Sequence, residues 1–147
     1  MPPDARERER RRRLVSAHVA AENAHDLDAI AATFAPHAIV DVNGTVATTP
    51  AQIAQTHALY GFGPAGGLLS QLQVIHEREH FTEEDIVYEG HFHGFHTGSP
   101  PGFPPPSGRE LELPYIVVYR FDAAGKLVSE RARVELSPIF RATVGAP

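Results

Sequence analysis

The chain contains no cysteine. That excludes disulfides, thiolate nucleophiles and cysteine-ligated zinc. No apolar run approaches the ~18 residues that a membrane span needs. The basic N-terminus, MPPDARERERRRRLVS, has no apolar core behind it. It does not read as a secretory signal, and the expected location is the cytoplasm. There is no serine nucleophile elbow, phosphate loop or dinucleotide fingerprint, because the glycine-rich GFGPAGG lacks the spacing and context. Positive charge is scarce after residue 13. Residues 1–13 hold six arginines against Asp4, Glu7 and Glu9, a net of +3, whereas the rest carries 7 Lys/Arg against 15 Asp/Glu, a net of −8. An acidic body of this kind does not attract nucleic acid.

What remains is ordinary for a globular chain. Its 147 residues are 42% hydrophobic and 21% charged, which suits one domain with a real core. Residues 1–13 are expected to be a charged N-terminal extension, solvated and frayed at the start of a helix, and residues 14–147 a single domain. Leu14, Ala17, Ala21, Ala24, Leu27, Ala31 and Phe34 recur at three- and four-residue spacing, which predicts a helix over about 9–34. A kink at Ala24-His25-Asp26 would start a second helix capped by Asp26, and Pro36 would stop it.

AIVDVNGTVAT places two β-branched runs around Asn43-Gly44, which predicts a hairpin with a type I′ turn. TPAQIAQTHALYGF follows as a helix with Thr49 as N-cap and Pro50 at its first position. Four β runs then come in order over residues 68–81, 85–96, 109–122 and 125–136, separated by turn signals and a proline-rich loop. Helices first and an antiparallel meander second make an α+β fold with helices on one face of a curved sheet.

Four local patterns carry a family resemblance: ENAHDLDAIAATFAPHAIV (22–40), GFHTG (94–98), PPSGR (105–109) and YRFDAAGKLVSERARVEL (119–136). In this order and spacing the chain, over residues 14–141, resembles the SnoaL-like group of the nuclear-transport-factor-2-like superfamily, which includes polyketide cyclases. The resemblance implies a cone-shaped, barrel-like α+β fold: a curved antiparallel sheet wrapped around N-terminal helices, forming a deep pocket. It also implies a homodimer that needs no metal or other cofactor and binds an apolar, oxygenated small molecule. The fold hosts many reactions, so it does not name one.

Several residues are candidates for the chemistry. The resembling family carries an acid/base aspartate where Glu135 stands, and often an aromatic residue where Arg133 stands. On a strand Arg131, Arg133 and Glu135 share one face, and Glu130, Ala132, Val134 and Leu136 the other. Asp41, just before the turn, is either a buried base or a support for that turn. His91 and His93 share a face and His96 takes the opposite one. His96 matches the family's Gly-x-His-x-Gly position, where it either relays a proton or pins the proline loop. His18, Glu22 and His25 line one side of the first helix, either bordering the pocket or forming a polar edge. Tyr115 and Tyr119 share strand parity as hydrogen-bond donors to an oxyanion.

The sequence thus leads to a cofactor-independent polyketide- or terpenoid-type cyclase or isomerase, with Glu135, Asp41 and His96 catalytic. Tyr115, Tyr119, Arg131, Arg133 and Phe92 would bind substrate. The alternatives are a non-catalytic ligand-binding or dimerisation domain, and an epoxide hydrolase-type enzyme with a carboxylate-activated water. Asp41 and Glu135 converging on one water would favour the hydrolase; one carboxylate opposite a tyrosine would favour the cyclase or isomerase; a pocket lacking both carboxylates would favour the binding module.

Overall fold

A computed structural model describes residues 1–141. The chain folds as α1 (Ala5–Asn23), α2 (Leu27–Ala32), β1 (Phe34–Val42), β2 (Thr45–Ala47), α3 (Pro50–Tyr60), β3 (Leu69–Phe81), β4 (Asp85–His96), β5 (Glu110–Phe121), β6 (Leu127–Val134) and α4 (Ser137–Arg141). The strands form one six-stranded sheet in the order β2-β1-β6-β5-β4-β3. It is curved and has two free edges, so the cone is not a closed barrel. β3 to β6 are the expected antiparallel meander. The pairing of β1 with β6 is parallel, which the meander pattern did not anticipate.

Local chemistry explains most boundaries. Asp26 Oδ1 accepts from Ala29 N at 3.0 Å and starts α2. Thr49 Oγ1 does the same for Gln52 N at 3.2 Å, with Pro50 in the first turn of α3. Asn43 and Gly44 both take positive φ, 53° and 87°, and close the β1–β2 hairpin. Pro36 does not end a helix; it lies within β1, whose pairing with β6 is irregular between Phe34 and Ile39.

The first helix differs from its apparent apolar stripe. Its buried residues are Arg11, Val15, His18, Ala21 and Glu22, while Ala17 and Ala24 are exposed. The arginine segment is not frayed either. Arg11 is buried, and its guanidinium donates to the carbonyl oxygens of Thr82 (3.2 Å), Asp85 (2.9 Å) and Glu83 (2.8 Å) in the β3–β4 turn. Arg10 donates to Asp122 O at 2.6 Å. Further along, Asn23 pins the helix end to β3, accepting from Val74 N at 2.7 Å and donating to Val74 O at 3.2 Å. The helices therefore cover the inner face of the sheet, and the core fills the space between them. Among the described residues no helix is long and apolar enough to cross a membrane.

Candidate active site

Strand alternation decides what faces the core. On β6, Glu130, Ala132 and Val134 are buried, and Arg131 and Arg133 are exposed. On β5, Leu113, Tyr115, Val117 and Tyr119 point inward. On β4, Phe92 and His96 are buried, and His91 and His93 lie on the outer face, half-buried. Of the candidates from sequence, Phe92, Tyr115, Tyr119 and His96 are inside; Glu135, Asp41, Arg131 and Arg133 are outside.

The structure does not bring Glu135, Asp41 and His96 together. Glu135 is exposed and accepts from Ser137 N at 2.8 Å, a bond that holds its carboxyl below the usual range. Asp41 accepts from Arg133 Nη1 at 3.0 Å and from Gly44 N at 2.8 Å. The Arg133 bond keeps Asp41 ionised at lower pH than usual, and the Gly44 bond braces the turn. His96 is fully buried, and its Nδ1 accepts from Ser107 N at 3.3 Å, pinning the end of the proline loop. Glu135 and Arg133 line an open groove of about 630 Å³ on the outer face, together with Glu77, Glu89 and Glu112.

The buried polar chemistry lies elsewhere. His18 and Glu22 from α1, His57 from α3 and Glu130 from β6 place ligating atoms within 4.8 Å of one another. His18 Nε2 is 3.3 Å from Glu130 Oε2 and 3.5 Å from Glu22 Oε1. His57 Nε2 is 3.7 Å from Glu22 Oε2 and 3.8 Å from Glu130 Oε2. All four residues are at most 6% exposed.

Each imidazole is oriented from behind. His57 Nδ1 donates to Ile53 O at 2.8 Å. Thr33 Oγ1 donates to Ile30 O at 2.6 Å, so at 2.8 Å it accepts from His18 Nδ1. Both rings therefore turn Nε2 toward the carboxylates. Burial would lower the His18 pKa, but Glu22 and Glu130 raise it to about 8. Burial pushes Glu22 up to about 8, helped by the neighbouring Glu130 charge. Glu130 resists burial and is held low by His18. His57 is pulled down, mainly by burial.

Beyond the quartet, on the same inner face, Tyr115 hydroxyl and His76 Nε2 lie 2.5 Å apart, and His76 stacks on Tyr88 with ring centres 4.1 Å apart. Burial lowers His76 to about 4 and raises Tyr115 and Tyr119 well above their ordinary value. These groups therefore stay neutral.

One space adjoins the quartet and a second lies behind Phe34. The inner one, about 20 Å³, is lined by Glu22, His57, Glu130, Tyr60, Phe62 and Phe92, among others. It has room for about one water. The second is an apolar cleft of about 220 Å³ between α2, α3 and the start of β1. Phe34 forms part of its wall and packs edge-on against both His18 (5.3 Å) and His57 (5.7 Å).

Sequence reasoning put His18 and Glu22 on one helix face but missed Glu130 and His57. Glu130 shares parity with Ala132 and Val134, and His57 lies between Ile53 and Tyr60 on one helical stripe. Those apolar neighbours were the available signal.

An unclosed, curved six-stranded sheet with helices on its inner face and a buried polar centre is the nuclear-transport-factor-2-like architecture. The SnoaL-like domain model matches residues 15–130, and the chain belongs to that family. No curated protein matches it in sequence. Among solved structures it resembles a provisionally assigned SnoaL-like polyketide cyclase from Jannaschia sp. CCS1, with a TM-score of 0.77, 19% identity and coverage of 95% of this chain and 94% of that one. A provisionally assigned polyketide cyclase from Xanthomonas campestris pv. campestris has a TM-score of 0.77, 21% identity and coverage of 92% and 98%. SalBIII, an epoxide hydrolase/cyclase-like enzyme of pyran ring formation in the polyether salinomycin, has a TM-score of 0.71, 14% identity and coverage of 88% and 94%.

Proposed function

We propose that this protein is a small-molecule enzyme of the epoxide hydrolase/cyclase type, with His18, Glu22, His57 and Glu130 as its reacting centre. Glu130 takes a proton from a hydroxyl, either that of water or one within the substrate. The oxygen attacks a ring carbon, and Glu22 returns a proton to the oxygen that leaves. His18 and His57 hold the carboxylates in place and move protons between them. The substrate is an apolar, oxygenated molecule of the polyketide or terpenoid kind, and the apolar cleft beside Phe34 is its way in.

One observation carries this reading. Two carboxylates are buried together beside a space of about 20 Å³, and among the described residues the one buried guanidinium, Arg11, is committed to the β3–β4 turn. Such burial costs several kcal/mol, on the order of the total stability of a domain. Buried, mutually perturbed ionisable groups of this kind cluster at functional sites. The likeness to SalBIII supports the same chemistry only as a likeness of fold. Proton abstraction beside a carbonyl is the second reading, favoured by Tyr60 on the same cavity wall.

The test is turnover of a panel of apolar epoxides, hydroxy-epoxides and β-keto polyketide mimics. Glu130→Gln and Glu22→Gln should each lower kcat at least a hundredfold with the thermal melt kept. If both keep full activity, the assignment fails; tight ligand binding without turnover would make the protein a binding module. We also propose a homodimer working in the cytoplasm, for which light scattering at micromolar protein reads the first part directly.

A further inference from the structure

We propose that the quartet His18, Glu22, His57 and Glu130 binds one divalent first-row transition cation, Zn²⁺ or a close relative. The proposal departs from the metal-free expectation that the family resemblance gave. It stands on geometry and is independent of the hydrolase/cyclase reading, since side chains that ligate an ion are not free to transfer protons.

The distances are the first argument. Paired as hydrogen-bonding partners, imidazole and carboxylate would sit about 2.7–3.2 Å apart. The four contacts here are 3.3, 3.5, 3.7 and 3.8 Å. Ligands held about 2.0–2.1 Å from a tetrahedral ion are separated from one another by about 3.3–3.4 Å. Glu22 meets the two imidazoles through different oxygens, and one ligating atom from each residue lies within 4.8 Å of the others, so the four face one centre and would draw in by up to about 1.4 Å on taking up an ion.

Orphaned atoms are the second, independent argument. His18 Nε2 and Glu130 Oε2 are fully buried, yet neither has a hydrogen-bond partner, although they are only 3.3 Å apart. An unsatisfied buried polar atom costs about 1–3 kcal/mol, so two at one point call for a ligand that accepts both. A cation does.

The third argument is the support behind the ligands. Both histidines present Nε2 because Nδ1–H is fixed, to Thr33 Oγ1 in one case and to Ile53 O in the other. Metal-binding histidines are commonly oriented in this way. The donor set of two imidazoles and two carboxylates suits zinc, iron, cobalt or nickel and disfavours calcium and magnesium. A divalent ion would also neutralise the two carboxylates.

Untagged protein is stripped with chelator and titrated with Zn²⁺ by calorimetry, then with Co²⁺, read by its visible d–d absorption. The expected result is one equivalent bound at micromolar Kd or tighter, with an intense tetrahedral-type Co²⁺ band. Glu130→Gln and His18→Ala should weaken binding about a hundredfold or more. Thr33→Val, which touches only the back of His18, should weaken it about 10–100-fold. His91→Ala with His93→Ala, on the outer face, should leave it unchanged, which also controls for surface histidines. Circular dichroism confirms that each variant is folded. No stoichiometric binding by the folded wild type overturns the proposal. So does binding that survives Glu130→Gln and disappears in the outer-face double variant. Stoichiometric binding with no turnover supports the metal site and counts against the enzyme; turnover by protein that binds no metal does the reverse.

Discussion

Arg11 offers a sharp test of how the N-terminal helix is held. The sequence reads as a solvated basic run, whereas the structure buries this one guanidinium in the β3–β4 turn. Replacing it with leucine keeps most of the apolar stem. It removes the bonds to the carbonyls of Thr82, Asp85 and Glu83 and the 2.9 Å bond to Glu7 Oε1. Thr82 and Glu83 are exposed, so their carbonyls regain water. The Asp85 carbonyl contact is buried, and a bond from a charged donor there is worth about 1.5–3 kcal/mol. The i,i+4 pair with Glu7 adds about 0.3–1 kcal/mol. The expected loss is about 2–4 kcal/mol, or a Tm lower by about 5–15 °C for a chain of this size. Arg12 pairs with Glu79 on a side chain that is 41% exposed, so Arg12→Leu should cost less than about 1 kcal/mol. Urea titration followed by circular dichroism measures both, with equal m-values showing that the unfolded state is unaltered. Equal losses for the two variants would refute the docking of Arg11.

Three further outcomes follow from the geometry. Asp85 is held below its ordinary value of 3.8, chiefly by Arg120, whose Nε and Nη2 bond its two oxygens at 2.8 and 3.1 Å. A lowered carboxyl stabilises the fold above its unfolded pKa and loses that contribution as pH falls through the folded value. Asp85→Asn should therefore cost about 1 kcal/mol at pH 7, allowing for solvent around Arg120, and progressively less as the pH falls below 3.8; a loss that does not shrink with acid would contradict the pair. Gly61 has φ +121°, and an added Cβ would meet Leu69 O at 2.0 Å, whereas Gly44 has φ +87° and open space. Gly61→Ala should lower stability by more than about 3 kcal/mol and Gly44→Ala by about 1–2 kcal/mol, and a reversed order in denaturant melts would be inconsistent with the backbone described. Phe34→Ala should join the apolar cleft to the quartet and broaden the accepted substrates at a stability cost of about 2–3 kcal/mol, since Phe34 is only partly buried; unchanged size selectivity on the epoxide panel would place the entrance elsewhere.

Strands and turns were legible because their signals are local. Alternation along β4 to β6 and the positive-φ pair Asn43-Gly44 act over two to four residues. The parallel contact of β1 with β6 was not, since a period of two says which residues share a face and not which strand lies alongside. The face of α1 misled for a different reason. Ala17 and Ala24 complete an apolar stripe on paper, but an exposed alanine costs almost nothing, so the stripe had little force. The buried stripe runs through Arg11, His18 and Glu22, whose burial is paid in hydrogen bonds and charge that only the tertiary structure supplies. On β6 the two faces were separated correctly. The resemblance drew attention to Glu135, although Ala132 and Val134 beside Glu130 marked the inner face.

The centre's charge pattern narrows what it can hold. Along the inner wall, Glu130 sits directly across from Tyr119 in the β5–β6 register, and Tyr115 and His76 continue the polar band toward β3. Burial keeps those three neutral, so they supply dipoles and hydrogen bonds but no net charge. The arginines nearest in sequence to Glu130, Arg131 and Arg133, point out of the sheet. Two carboxylates are thus enclosed with imidazoles as their only ionisable partners in the quartet, and with walls that cannot compensate them. The centre therefore has to hold positive charge of its own, as protons shared among the four side chains or as a metal cation. An anionic group entering the same space would be repelled by the charged Glu130. On the reading proposed above, a substrate would therefore present a neutral end to the quartet and keep any carboxylate or phosphate outside it.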